Sequence, residues 1–198
     1  MTAESVAPIR RSPLGATSPD RVALAQADEI EIFERPFLAQ VLLRMDPTPA
    51  ARTRIEREAG FPLPDTVNRI AVGSGSGSER LSISLAPDEW LLIDAADPPD
   101  LETRVRTASS RDGGTVVDVS AHRTLLELRG PRVRDLLAAG TAIDVHPRAF
   151  PVGAAAQTLF ARVDVIIGRG REDLYHMAVR ASFASYLLAW IRDALEGI

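Results

Sequence analysis

Cysteine and lysine are both absent from the 198 residues. Without cysteine there is no disulfide framework, no thiolate zinc site, no cysteine-held iron–sulfur cluster and no thiol nucleophile, and a reducing compartment is permitted. Without lysine there is no Schiff base, no pyridoxal phosphate anchor and no phosphate-loop amine. All 23 basic residues are therefore arginine, dispersed along a chain of net charge −4, and this balance argues against nucleic-acid binding. No apolar run reaches the length of a membrane span, and Met1 to Ala16 has no apolar stretch of the signal-peptide kind. The expectation is a cytoplasmic protein without membrane or nucleic-acid partners. Hydrophobic residues at 45% and charged ones at 25% describe a globular chain able to bury a core without staples.

Residues 1–20 hold Pro8, Pro13 and Pro19 among small and polar residues, and read as an extended N-terminal arm. In this reading the arm either stays disordered or orders on a partner through Ile9, Arg10, Arg11 and Leu14. Beyond it, alternating Ile30 and Ile32 and the apolar run 37–45 predict two strands separated at Pro36. Asp46-Pro47-Thr48 starts a helix over 49–59 that Gly60 stops. Strands at 67–72 and 81–85 flank a glycine–serine loop; because a strand and not a helix follows that loop, it reads as a hairpin tip and not a phosphate cradle.

Further strands are predicted at 90–93, 116–119 and 125–128, and helices at 99–109 and from Gly130-Pro131 to Gly140. The stretches 158–167 and 174–179 read as one hairpin turning at Gly168 to Gly170. A final helix over 183–195 is capped by Ser182. The fold class is α+β: a chain of two small subdomains, about 21–88 and 89–198, the second with the split βαβ order of ferredoxin-like folds.

Catalytic candidates each have an ordinary structural explanation. His122, His146 and His176 are far apart in sequence and show no metal-ligand spacing, and His146 and His176 read as capping or surface positions. Ser120 lacks the flanking glycines of a nucleophile elbow, and Asp118 reads as the acceptor of an Asx turn. No glycine fingerprint marks a nucleotide site. The expectation is no catalytic, cofactor-binding or metal-ligating residue in this chain. Trp90 is expected to fill the junction of the two subdomains. On the last helix Phe183, Tyr186 and Trp190 belong to an apolar stripe about 200° wide, more than one sheet needs, so they are candidate subunit-interface residues together with Arg11 and Leu14.

One ordered set of segments goes further. Arg11-Ser-Pro-Leu14, Glu34-Arg-Pro-Phe-Leu-Ala-Gln40, Pro87-Asp-Glu-Trp-Leu-Leu92, Val117-Asp-Val-Ser120, Gly130-Pro131, Asp144-Val-His-Pro-Arg-Ala-Phe-Pro-Val-Gly153 and Ser182-Phe-Ala184 with Tyr186, Leu187 and Trp190 together resemble the gamma subunit of heterotetrameric sarcosine oxidase. That family is related in fold to the folate-binding domain of the glycine-cleavage aminomethyltransferase. The resemblance implies a non-catalytic subunit of a bacterial complex that oxidatively demethylates sarcosine to glycine with tetrahydrofolate as one-carbon acceptor. It implies alpha, beta and delta partner subunits, with alpha in direct contact, and places FAD, FMN, NAD, zinc and tetrahydrofolate in them. A related N-methyl amino acid oxidase or dehydrogenase complex, or a free-standing folate-binding protein, is the alternative.

Overall fold

The computed structural model describes residues 10–16, 18, 20–27, 29–74, 79–94 and 100–198. In chain order the elements are β1 (Val22–Ala27), β2 (Ile30–Arg35), β3 (Ala39–Arg44), α1 (Pro49–Glu58), β4 (Arg69–Ser74), β5 (Glu79–Ala86), β6 (Glu89–Asp94) and α2 (Leu101–Ser109). There follow β7 (Thr115–Asp118), β8 (Arg123–Arg129), α3 (Val133–Gly140), β9 (Ala155–Phe160), β10 (Val163–Arg171), β11 (Leu174–Arg180) and α4 (Ala184–Leu195). The class is α+β. Among the described residues no helix is long and apolar enough to cross a membrane.

The strands form two antiparallel sheets, ordered β4-β5-β6-β3-β7 and β1-β2-β8-β11-β10-β9. The orders disclose a repeat. In the first sheet β3, α1, β4, β5, β6, α2 and β7 follow one another, and β3 sits between β6 and β7. In the second, β8, α3, β9, β10, β11 and α4 run in the same sequence, and β8 sits between β11 and β2. The first sheet thus contains a split βαβ, β6-α2-β7 around β3, and the second repeats its spatial order with β8 between β11 and β2. The second copy takes its last strand from the N-terminal hairpin. A division between 88 and 89 does not follow the sheets, because it separates β6 from its hairpin partner β5. The sheets divide instead into 39–118 on one side, and 22–35 with 123–180 on the other.

Alternation along each strand builds a four-layer stack. Trp90 and Leu92 of β6 point to a core shared with Ile55 of α1 and Val105 of α2. Leu91 and Ile93 point the other way, onto Leu125, Ile166 and Ala178 of the second sheet. On the far side of that sheet, Leu126, Ile167 and Met177 meet Leu136 of α3 and Leu187 of α4. Trp90 is only 1% exposed, but it fills the helix-facing core of the first unit and not the junction; its indole Nε1 donates to the Pro64 carbonyl at 3.0 Å.

Local chemistry explains most boundaries. The Thr48 hydroxyl accepts from the Ala51 amide at 3.2 Å with Pro49 in the first turn, and Gly60, at φ 77°, follows the end of α1. The C-terminal helix differs from expectation: Ser182 lies in a 3₁₀ turn over Ala181–Phe183, and no side chain caps α4. The predicted hairpin at 158–179 is two hairpins. Ala161 and Arg162, both at positive φ, turn β9 into β10, while Gly168 and Gly170 lie inside β10. They are glycines because the sheets approach there. A Cβ on Gly168 would lie 2.7 Å from Ile70 Cδ1 of the first sheet, and one on Gly170 would lie 3.3 Å from Val72 Cγ2 of that sheet and 2.8 Å from Nε2 of His176 on the paired strand.

Residues 10–16 are docked and do not form a free arm. Ser12 is buried, its hydroxyl donates to the Glu34 carboxylate at 2.8 Å and accepts from the Ala16 amide at 2.9 Å. Thr124 donates to the other Glu34 oxygen at 2.8 Å, so a buried acid is satisfied by two hydroxyls, one from the segment ahead of β1 and one from β8. Ile9 lies outside the described residues.

Candidate functional site

Asp118 ends β7, and its Oδ1 accepts from both the amide of Ser120 at 2.8 Å and the Ser120 hydroxyl at 2.6 Å. Those two hydrogen bonds hold the Asp118 carboxyl below the ordinary range. The same hydroxyl accepts from the Gln40 amide at 2.9 Å, so Ser120 ties the end of β7 to β3. This is an Asx turn with a strand clip, and the carboxylate beside the serine is a poor base. His146 accepts the Arg148 amide at Nδ1, 3.2 Å away, while Asp144 accepts the His146 amide at 2.8 Å. The His-Pro-Arg segment is a capped turn. His122 is exposed; burial first, then Arg123 and Arg180, lower its ring below the usual value.

His176 departs from expectation. It is 1% exposed, on the face of β11 turned to the other sheet, and neither ring nitrogen has a hydrogen-bond partner. Burial lowers it to about 4, so the ring is neutral. Around it stands a polar cluster that sequence spacing could not reveal, because its members come from β2, β5, β8, β10 and β11. The Glu127 side chain is wholly buried; Arg35 and Arg129 both donate to it, Arg129 Nη2 at 2.8 Å, and Arg21 lies 3.5 Å away. Glu79, crossing from the first sheet, lies 3.8 Å from Arg35 and 3.7 Å from Arg171. Burial works to raise the Glu127 carboxyl, but Arg35 and Arg129 more than offset it and hold it low.

Ligand atoms of Glu79, Glu127 and His176 come within 4.8 Å of one another, a donor set of the kind that binds divalent cations. The arginines decide against that use. Both carboxylates already neutralise guanidinium groups, and a cation placed among them would face Arg35, Arg129 and Arg171 at ion-pair distances. The arrangement clasps the two sheets electrostatically. It offers no nucleophile, and its one neutral base is shut off from solvent.

The candidate interface residues separate into two groups. Phe183 and Tyr186 are 42% and 47% exposed. Trp190 instead packs edge-on against Phe160, with ring centroids 5.1 Å apart, and Leu14 packs against the same core. Arg11 is exposed and borders a cavity of about 390 Å³ that also takes in Ala181, just ahead of α4.

A match to the sarcosine oxidase gamma subunit family spans residues 44–196. The chain belongs to that family. Curated gamma subunits from Corynebacterium sp. strain P-1 and strain U-96 are 33% and 32% identical, each covering 95% of this chain and 91% of the relative. Among solved structures, a chain of the heterotetrameric sarcosine oxidase of Corynebacterium sp. U-96, in complex with pyrrole 2-carboxylate, superposes with a TM-score of 0.79. Identity there is 29%, with 96% of both chains covered. The aminomethyltransferase T of the Bartonella henselae glycine cleavage system shares the fold at a TM-score of 0.62 and 14% identity, over 83% of this chain and 46% of that one. For this gamma-family chain, Asp118, Ser120 and His146 are engaged in holding turns or strands, while His176 is buried between the sheets without a hydrogen-bond partner.

Proposed function

We propose that this chain acts as the gamma subunit of a bacterial heterotetrameric sarcosine oxidase, stabilising without catalysing. The assembled complex would demethylate sarcosine oxidatively to glycine, with tetrahydrofolate taking the one-carbon unit. The observation that carries the reading is near end-to-end likeness to named gamma subunits at about one-third identity, in a chain whose reactive side chains serve structure. Alpha, beta and delta subunits would hold FAD, FMN, NAD, zinc and tetrahydrofolate, with alpha in direct contact. Exposed Phe183, Tyr186 and Arg11 are the interface residues of this reading, in a cytoplasmic complex.

The test is coexpression with the partner subunits, followed by size exclusion and turnover with sarcosine and with other N-methyl amino acids. Sarcosine oxidation by a complex that retains this chain supports the assignment. Preference for another N-methyl substrate would move it to a related complex, and saturable tetrahydrofolate binding by the isolated chain would favour a folate-binding role. Asp118→Asn, Ser120→Ala and His146→Gln should leave turnover per assembled complex within a few fold, whereas loss of a general acid or base costs roughly 100- to 10,000-fold.

A further inference from the structure

The register of β8 and β11 sets Arg123 directly opposite Arg180. Like charges facing each other across an antiparallel pair destabilise the sheet. Arg123 is half-buried, and no carboxylate lies within ion-pair distance of it among the described residues. Half-buried Arg35, Arg54, Arg80 and Arg129, by contrast, each have one. Burial first, and Arg180 next, lower the Arg123 guanidinium below its ordinary value, with Glu89 opposing from a distance.

Arg123 is also where two cavities meet. One, of about 330 Å³, is lined by Arg180, Gln157, Leu159 and Asp164; the other is the 390 Å³ cavity with Arg10 and Arg11 on its wall. Asp164 forms no ion pair with either arginine, and Asp118 is engaged with Ser120. Leu159, on the first cavity wall, is 58% exposed, and Phe183 follows Arg180 by one short turn. An uncompensated arginine pair bordered by exposed apolar side chains has the composition of a protein interface and not of a free surface.

We propose that the Arg123–Arg180 surface receives an acidic side chain from another subunit of the assembled enzyme, with Leu159 and Phe183 forming its apolar border. This rests on the gamma-subunit reading. The partner's carboxylate would sit between the two guanidinium groups, relieving in the complex a repulsion that the isolated chain carries.

The test compares the wild type with Arg123→Gln/Arg180→Gln, both as isolated chains and coexpressed with the partner subunits. In the isolated chain the double variant should melt at the same temperature or higher, because a repulsion has been removed. In the complex its affinity should fall by about tenfold or more, and the salt dependence of assembly should weaken. An arginine pair needed only for folding would lower the melting temperature instead. Arg180→Gln alone alters an exposed position and should show the same split if the double variant folds poorly. Unchanged affinity in either variant overturns the proposal. So does saturable stabilisation of the isolated wild type by inorganic phosphate, lost in the double variant with assembly intact, since that marks a small-anion site. Failure of the wild type to assemble would defeat the subunit reading itself, an outcome separate from any difference between wild type and variant.

Discussion

Two side chains show how burial decides role in this molecule. Trp90 places its ring among Ile55, Phe61 and Val105 and satisfies its one polar atom at the Pro64 carbonyl. Trp90→Ala should destabilise the chain by roughly 3 to 5 kcal/mol, read as a lower melting temperature, with turnover of whatever complex assembles little changed. His176 is buried without a partner, and its cost appears as pH dependence. Its ring titrates near 4 in the fold against 6.5 ordinarily, so from pH 6.5 down to about 4 the unfolded chain takes up a proton that the folded chain refuses. Stability from this group is therefore full above pH 6.5 and falls as the pH drops toward 4, by roughly 3 kcal/mol in all. His122 titrates in part of the same window, so the informative comparison is with His176→Gln, whose denaturation midpoints should be flatter between pH 6.5 and 4. Below that, Glu127 adds its own loss as its depressed carboxyl protonates.

Strands and turns depend on a few positions where the backbone leaves no choice. Gly130 closes β8 at φ 119°, and a Cβ there would lie 1.9 Å from the carbonyl oxygen of Glu29, which is backbone and cannot swing aside. Gly130→Ala should force the β1–β2 hairpin away from β8 and lower the melting temperature sharply; a variant melting like the wild type would show that the close approach is not needed. This glycine was legible in the sequence as a helix start, as were Thr48-Pro49 for α1 and the run at 90–93 for β6, because caps and doubly buried strands write strong local patterns. The misread elements lack such patterns. Alanine-rich β1 is a half-exposed edge strand without marked alternation, and Ala161-Arg162 turn at positive φ with neither glycine nor asparagine. Gly168 answers to the opposite sheet, and Gly170 to His176 on the paired strand and to Val72 across the sheets, not to their neighbours in sequence. The burial of His176 and its assembly with Glu79, Glu127 and Arg35 are likewise products of sheet stacking, invisible to any local period.

For the molecule as a whole, the internal repeat has a consequence for how the chain is made. The strand that completes the second unit comes first from the ribosome, whereas its neighbour β8 follows some ninety residues later in the pairing of Phe33 with Glu127. The unit at 39–118 can close during synthesis while the N-terminal hairpin waits with an open edge, exposed to mispairing. Translation order and spatial order are out of step by one strand pair. Circular permutation would realign them. Arg192 of α4 donates to the Leu24 carbonyl at 2.9 Å, so the end of the last helix already lies against β1. A permutant beginning at Leu38, in which a flexible glycine–serine linker carries the chain from α4 to Arg10, would read as two consecutive copies of one unit. It should keep the far-ultraviolet spectrum and cooperative melting of the parent and aggregate less during refolding. Loss of either signature would mean that the early hairpin guides the second unit and does not merely await it.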